Sequence, residues 1–221
     1  MNKLGKPVSA IVSTQWLAQK LSSNVPNLRV LDGSWHMPHT QRDPKAEFLT
    51  KHIPGSQFFG IDECCDHSNK MDHMVPPEKQ FSQYVGNLGI NNSTHVIVYD
   101  NNDNFGLFSA QRVWWTFRVF GHNQVSVLDG GLPKWEQDGY GVTDIVDKVE
   151  KQDFQTDFLS HLVKSFEDVE KNIADKSFTV VDARAAGRFH GTSPEPRPGT
   201  VRYIFYLKLD GLSVPRPILL D

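Results

Sequence analysis

The sequence is poor in the features that mark several protein classes. Only two of its 221 residues are cysteine, and they are adjacent, so a disulfide framework is excluded and a reducing compartment is expected. Lysine and arginine (23) do not outnumber aspartate and glutamate (26), which leaves no basic footprint for nucleic acid. No apolar run is long enough to span a membrane. The first residues contain lysines but no apolar signal core, so we expect a mitochondrial or cytoplasmic protein.

What is present points to a folded α/β protein. Hydrophobic residues make up 38% of the chain and aromatic residues 11%, which is ample for a buried core. Short apolar segments that end in aspartate alternate with segments of helical periodicity, and this order predicts a parallel sheet. The clearest strand is HVIVYD, which ends at Asp100, and two others end at Asp32 and Asp129. In open sheets this edge is where the ligand crevice forms.

Several helix boundaries are also predicted. Ser13 or Thr14 is a suitable N-cap for the first helix. Pro76, Pro77 and Glu78 open an amphipathic helix whose inner stripe is Phe81, Tyr84, Val85 and Leu88. The long segment LFSAQRVWWTFRVFG predicts a helix that Gly121 terminates.

The opening pattern returns near the end of the chain. VKSFEDVEKNIADK predicts a helix, and FTVVDARAAGRF predicts a strand that ends at Asp182, roughly 150 residues after its counterpart. We therefore predict a complete domain at residues 8–141, an interdomain linker at 142–157, an incomplete second domain at 158–199 and an unrelated tail at 200–221.

Longer motifs carry a resemblance to a known family. VLDGSW, KHIPGSQFF, HVIVYD, SAQRVWWTFRVFGH, VSVLDGGLPKW and VVDARAAGRFHGTSPEPRPG resemble the tandem-rhodanese sulfurtransferases, whose branches act on 3-mercaptopyruvate or thiosulfate. The resemblance implies a rhodanese-like parallel sheet flanked by helices, with one complete domain and the start of a second. It implies sulfur transfer to a thiol or cyanide through a cysteine persulfide, without a metal or organic cofactor. His73 and Arg197 favour the mercaptopyruvate branch.

The same resemblance implies the site residues. Arg188 and Arg197 match substrate-binding arginines, and a planar guanidinium can hold a carboxylate through two parallel hydrogen bonds. Asp62 and His73 match an acid–histidine pair that moves protons together with a serine, in a loop that this sequence does not contain. The implied acceptor is a thiol such as that of thioredoxin or glutathione.

The nucleophile is the missing part. A persulfide-forming thiolate needs a low pKa and belongs in the loop after a central strand. In the first domain that loop begins at Asp100, so this domain resembles the non-catalytic half of the family. Cys64 and Cys65 lie instead among carboxylates, which raise a thiol pKa, and their adjacency is a poor geometry for zinc. We therefore expect little turnover from this chain.

Two other functions remain open at this point. One is a non-catalytic rhodanese-like module for binding or regulation. The other is a phosphatase-like relative, because that fold class also hosts phosphate chemistry. The second alternative is weak, since the sequence contains no Cys-x5-Arg loop.

Overall fold

Five parallel strands organise the first part of the chain. The structure is a computed structural model that describes residues 8–103, 108–182 and 186–194. The strands are β1 (Ile11–Val12), β2 (Leu28–Asp32), β3 (Ser56–Phe58), β4 (His95–Tyr99) and β5 (Val125–Leu128). Their order in the sheet is β1-β5-β4-β2-β3, and every paired neighbour is parallel. The predicted α/β fold is therefore confirmed.

Helices connect the strands and cover the sheet. They are α1 (Thr14–Ser22), α2 (Pro44–Thr50), α3 (Glu78–Asn87), α4 (Ala110–Val119) and α5 (Gly131–Gln137). Single 3-10 turns add Pro38–Thr40 and Ser160–Leu162. None of the helices in the described ranges combines the length and the apolar character needed to cross a bilayer.

The central strand β4 shows why the core has two halves. Side chains of a strand point alternately to opposite faces of the sheet. Val96 and Val98 accordingly join one buried cluster with Phe81, whereas Ile97 and Tyr99 join a second one with Leu17. Because both faces are covered, β4 reads as a continuous apolar run rather than as an alternating one.

Local signals place the helix ends where the sequence predicts them. The Oγ of Ser13 accepts the N–H of Trp16, 3.2 Å away, so Ser13 rather than Thr14 is the cap of α1. Gly121 follows α4 with φ of +79°, a conformation that a residue with Cβ adopts at a cost. The two-residue strand β1 was not predicted.

Residues 142–157, the predicted linker, belong to the first compact unit, which ends at Val163. Thr143 forms an isolated antiparallel bridge with His52. The N–H of Gln152 donates to the carbonyl of Gly86, and Phe154 is only 2% exposed inside the aromatic cluster of the core. The domain boundaries themselves stay predictions.

The second unit begins at Lys164 and contains two helices within the described residues, α6 (Phe166–Asp175) and α7 (Ala186–Phe189). The predicted helix is confirmed as α6, which Ser165 and Asp168 cap reciprocally. The predicted strand FTVVD is wrong, because Phe178–Asp182 has no regular structure. A strand exists only through hydrogen bonds to a neighbour, and the described part of this unit contains no other strand.

Candidate functional site at the carboxyl edge of the sheet

Two buried carboxylates follow the adjacent strands β2 and β4. The strands run in register, so that Asp32 is paired with Tyr99 and the loops after them lie side by side. The Oδ1 of Asp32 accepts hydrogen bonds from the N–H (2.9 Å) and hydroxyl (2.5 Å) of Ser34. Burial raises the pKa of Asp32 to about 6, and the bonds from Ser34 oppose this rise. Asp32 thus closes its turn through local hydrogen bonds.

The second buried carboxylate, Asp100, begins the loop after the central strand β4. Its Oδ2 accepts the backbone N–H groups of Phe108 (3.1 Å), Ser109 (2.8 Å) and Ala110 (2.8 Å), the last of these in the first turn of α4. Converging backbone N–H groups at the start of a helix form an anion cradle. The chain fills this cradle with its own carboxylate.

Arg42 braces the beginning of the same loop. Its Nε and Nη2 donate to the two carboxylate oxygens of Glu47, and Nη2 also donates to the carbonyl of Asn101 at 2.9 Å. Its Nη1 donates to Asp103 at 3.0 Å. The hydrogen bonds from Arg42 lower the pKa of Glu47. The loop after β4 is therefore held at its first residues by charge-assisted bonds.

The structure brings the predicted acid–histidine pair together. The Nδ1 of His73 lies 2.9 Å from the Oδ1 of Asp62. The contact has an ion-pair distance but not hydrogen-bond geometry. The indole N–H of Trp35 donates to the other oxygen of Asp62 at 3.0 Å. The catalytic roles of the pair stay predictions.

His73 is fixed through its backbone as well. It has φ of +60°, a left-handed conformation that is uncommon for a residue with Cβ, and its carbonyl accepts a hydrogen bond from Nη2 of Arg112. Arg112 lies on α4, with its guanidinium 4.9 Å from the ring of Trp115. Burial lowers the pKa of Arg112. Helix α4 thus carries both part of the Asp100 cradle and the support for His73.

A cavity of ≈ 10 Å³ lies between these elements, lined among others by Cys64, His73, Met74 and Arg112. This volume is at the limit of holding one water molecule. It is too small for an organic substrate, and the pair is open to solvent on its other side. The side chain of Asp62 is 68% exposed there.

The two cysteines are buried beside the pair and are poor nucleophiles. Burial is the main cause that raises the pKa of the Cys64 thiol to about 12. Burial, followed by the charge of Asp62, also raises the pKa of Cys65. The sequence predicts raised thiol pKa values and attributes them to the neighbouring carboxylates. The structure shows the same direction of change, with burial as the larger cause. Within the described residues no three His, Cys, Asp or Glu side chains are grouped to hold a metal.

The predicted substrate arginines belong to the second unit. Arg188 is half-buried in the short helix α7, where its carbonyl accepts the N–H of Gly191 at 3.2 Å. Arg197 lies outside the described residues. Substrate binding by either arginine stays a prediction.

Sequence reasoning missed Trp35 and Arg112 as neighbours of the pair. A signal existed for Trp35, because it follows the aspartate at the carboxyl end of a predicted strand, where ligand crevices form. The sequence contains no such signal for Arg112, since an arginine in an amphipathic helix normally faces solvent.

A doubly covered parallel sheet with an anion cradle after its central strand defines a rhodanese-like domain. The family profile described as Rhodanese-like domain matches residues 13–138, and the chain belongs to this family.

Within the family, the chain is 46% identical to 3-mercaptopyruvate sulfurtransferase of Mus musculus, over 86% of this chain and 64% of the relative. It is 48% identical to thiosulfate sulfurtransferase of Rattus norvegicus, over 85% of this chain and 63% of the relative. The chain thus spans slightly less than two thirds of either protein. Among solved structures, the 3-mercaptopyruvate sulfotransferase SseA of Escherichia coli superposes with a TM-score of 0.76 at 32% identity, covering 87% of this chain and 72% of that one.

Proposed function

We propose that the chain takes part in the transfer of sulfur from 3-mercaptopyruvate or thiosulfate to a thiol or cyanide. We also propose that the chain by itself catalyses this transfer only slowly. The observation that carries the second part is that the sequence contains no cysteine after Cys65, while burial raises the thiol pKa of both Cys64 and Cys65. The relatives named above support the first part. Mercaptopyruvate is the preferred donor of the two, on the basis of His73 and Arg197.

The chemistry assigns a role to each predicted site residue. In transfer from mercaptopyruvate a thiolate attacks the donor sulfur, the carbon–sulfur bond breaks, and the carbon takes up a proton to give pyruvate. Arg188 and Arg197 would hold the donor carboxylate. His73, oriented by Asp62, would move the proton. A small thiol or thioredoxin is the proposed acceptor, and the mitochondrion or the cytoplasm is the proposed compartment.

Sulfide release tests the low turnover directly. The full chain is incubated with 3-mercaptopyruvate and dithiothreitol, beside a Cys64→Ser/Cys65→Ser variant of the same chain. We expect equal, background sulfide from both proteins and no persulfide mass adduct, because burial raises both thiol pKa values. Sulfide above the double-serine background, or an adduct on either cysteine, contradicts the proposal.

Binding of the sulfur donor tests the first part of the proposal. Calorimetry with 3-mercaptopyruvate should show binding that Arg188→Gln weakens about 10-fold, the equivalent of a lost charge-assisted hydrogen bond. Arg29→Gln is the matched control, because Arg29 is a half-buried arginine at the start of β2, remote from the carboxyl edge of the sheet. Equal affinities for all three proteins would argue against donor binding through Arg188.

A non-catalytic binding or regulatory module is the second candidate. The Asp100 cradle and its brace by Arg42 favour it, because both stabilise the fold without leaving a reactive group. A chain that binds no donor yet melts cooperatively as a monomer would favour this alternative over sulfur transfer.

A further inference from the structure

The Asp62 side chain has a polar neighbour on each oxygen although it is largely exposed. With 68% of the side chain exposed, an aspartate normally exchanges between rotamers and contributes little as an ion-pair partner. Here each carboxylate oxygen has its own neighbour. Oδ2 accepts the indole N–H of Trp35 at 3.0 Å, and Oδ1 faces the Nδ1 of His73 at 2.9 Å. With Oδ2 bonded to Trp35, the other oxygen, Oδ1, faces the imidazole.

Trp35 is itself held from several sides. Its backbone N–H donates to the Oγ of Ser109 at 3.0 Å, which joins it to the loop that cradles Asp100. Its ring lies edge-on to His73, with centroids 4.9 Å apart, and stacks on Phe108 at 6.1 Å. An aromatic side chain has only two torsions, so these contacts fix the direction of the indole N–H at a small entropic cost.

Arg112 holds the other partner. The carbonyl of His73 accepts its Nη2 donor, and His73 has a positive φ that needs such support. Arg112 emerges from α4, which is anchored in the core through Val113 and Phe117. The backbone of His73 is therefore held by a helix that does not belong to its own loop.

We infer that Trp35 and Arg112 are positioning residues for the Asp62–His73 pair, which keep the carboxylate on Nδ1 and leave Nε2 as the proton-accepting atom. The inference rests on the proposed function for its role in proton transfer. The effect of the two residues on the tautomer of His73 does not depend on that function. A carboxylate beside Nδ1 favours the tautomer that carries the proton there, and the free tautomer preference returns when the carboxylate rotates away.

Nitrogen NMR of the histidine-labelled full chain at pH 9, where imidazole rings are uncharged, measures that tautomer. Trp35→Phe keeps the ring and removes the N–H. We expect it to lower the ratio of Nδ1–H to Nε2–H in His73 by about 2- to 10-fold, because the carboxylate that attracts the Nδ1 proton is then free to turn away. Asp62→Asn should lower the ratio similarly, and the double variant should lower it no further, because both act through one contact.

Matched controls are present in the same chain. Trp16 lies edge-on to His95 with centroids 5.5 Å apart, so Trp16→Phe tests the loss of an indole beside a histidine without Asp62. Arg118 lies 5.5 Å over the ring of Trp114, as Arg112 lies over Trp115, so Arg118→Lys controls for Arg112→Lys. We expect only the Trp35 and Arg112 variants to change the tautomer of His73.

An unchanged His73 tautomer in Trp35→Phe, at an unchanged melting temperature, overturns the inference for Trp35, and the same result in Arg112→Lys overturns it for Arg112. If either protein fails to fold, the tautomer of His73 is measured in Asp62→Asn, because this exposed side chain can be replaced without harm to the core. An unchanged tautomer there overturns the inference for both residues, since both act on the tautomer through the Asp62–His73 contact. The NMR ratio requires no sulfur donor. A failed donor-binding experiment therefore rejects the proposed function without touching the tautomer result.

Discussion

Two buried titratable groups should give the first domain opposite responses to acid. Burial raises the pKa of Asp32 to about 6 from its ordinary 3.8. Burial lowers the pKa of His122 to about 4 from its ordinary 6.5. Asp32 lies at the carboxyl end of β2, whereas His122 precedes β5 and bonds the carbonyl of Thr94, just before β4. One group lies at the carboxyl ends of the strands and the other at their amino ends, so their effects on stability should add.

The signs follow from which state binds the proton. Between pH 4 and 6 the folded chain protonates Asp32 and the unfolded chain does not, so this group makes the fold more stable as pH falls. Between pH 6.5 and 4 the unfolded chain protonates His122 and the folded chain does not, so this group makes the fold less stable as pH falls. At about 1.4 kcal/mol per pKa unit, each effect amounts to about 3 kcal/mol. They nearly cancel in the wild-type chain.

Single variants separate the two effects. Asp32→Asn keeps a carbonyl oxygen for the Ser34 N–H, and His122→Gln keeps a donor for the Thr94 carbonyl. On acidification from pH 6.5 to 4, we expect Asp32→Asn to lose about 3 kcal/mol of unfolding free energy relative to wild type. We expect His122→Gln to gain about 3 kcal/mol over the same range, and the double variant to run parallel to wild type.

Urea unfolding followed by tryptophan fluorescence measures these free energies. All five tryptophans lie between residues 16 and 135, so the signal reports the first unit alone. If the Asp32→Asn and wild-type curves stay parallel within about 0.5 kcal/mol from pH 6.5 to 4, burial does not control the titration of this carboxyl, and the reasoning fails.

The remaining predictions concern the cradle and the core. Asp100→Ala leaves three backbone N–H groups without their acceptor, so it should lower the free energy of unfolding in urea by at least about 3 kcal/mol. The control is Asp129→Ala, which replaces an exposed aspartate at the equivalent end of β5 and should change this free energy by less than about 0.5 kcal/mol. Equal losses would show that the cradle adds nothing. Asp100→Cys, made in a Cys64→Ser/Cys65→Ser chain, should create a thiol with a pKa below the ordinary ~8.5, measured by iodoacetamide reactivity against pH; a value at or above this would refute the cradle argument. Phe81→Ala should cost about 3–5 kcal/mol, since Phe81 of α3 is fully buried against the rings of Phe117, Phe120 and Phe154. A loss below about 1 kcal/mol would contradict this packing.

The sequence predicted those parts of the structure that local chemistry determines. Ser13 caps α1, Phe81 and Val85 face inward from α3, and the run before Asp100 is a buried strand. Each depends on signals within a few residues. The strand β1 escaped notice because its two residues are extended only through pairing with Val127 and Leu128, far along the chain.

The same limit explains the candidate site. The Asp62–His73 contact followed from resemblance, whereas the bond from Trp35 joins residues 27 positions apart and the bond from Arg112 joins residues 39 apart. Neither spacing carries a periodic signal. The wrong strand at Phe178–Asp182 is the reverse case, in which a β-branched run lacks the partner that would make it a strand.

The carboxylate that fills the cradle after β4 has a consequence for chemical durability. Sulfur enzymes are vulnerable where they work, because an activated thiolate is also the group that peroxide oxidises and alkylating agents consume. Asp100 offers such reagents nothing to attack, and its oxygen already saturates the donors that would draw an anionic poison into the loop. The cradle after β4 should therefore stay chemically unaltered under oxidative stress.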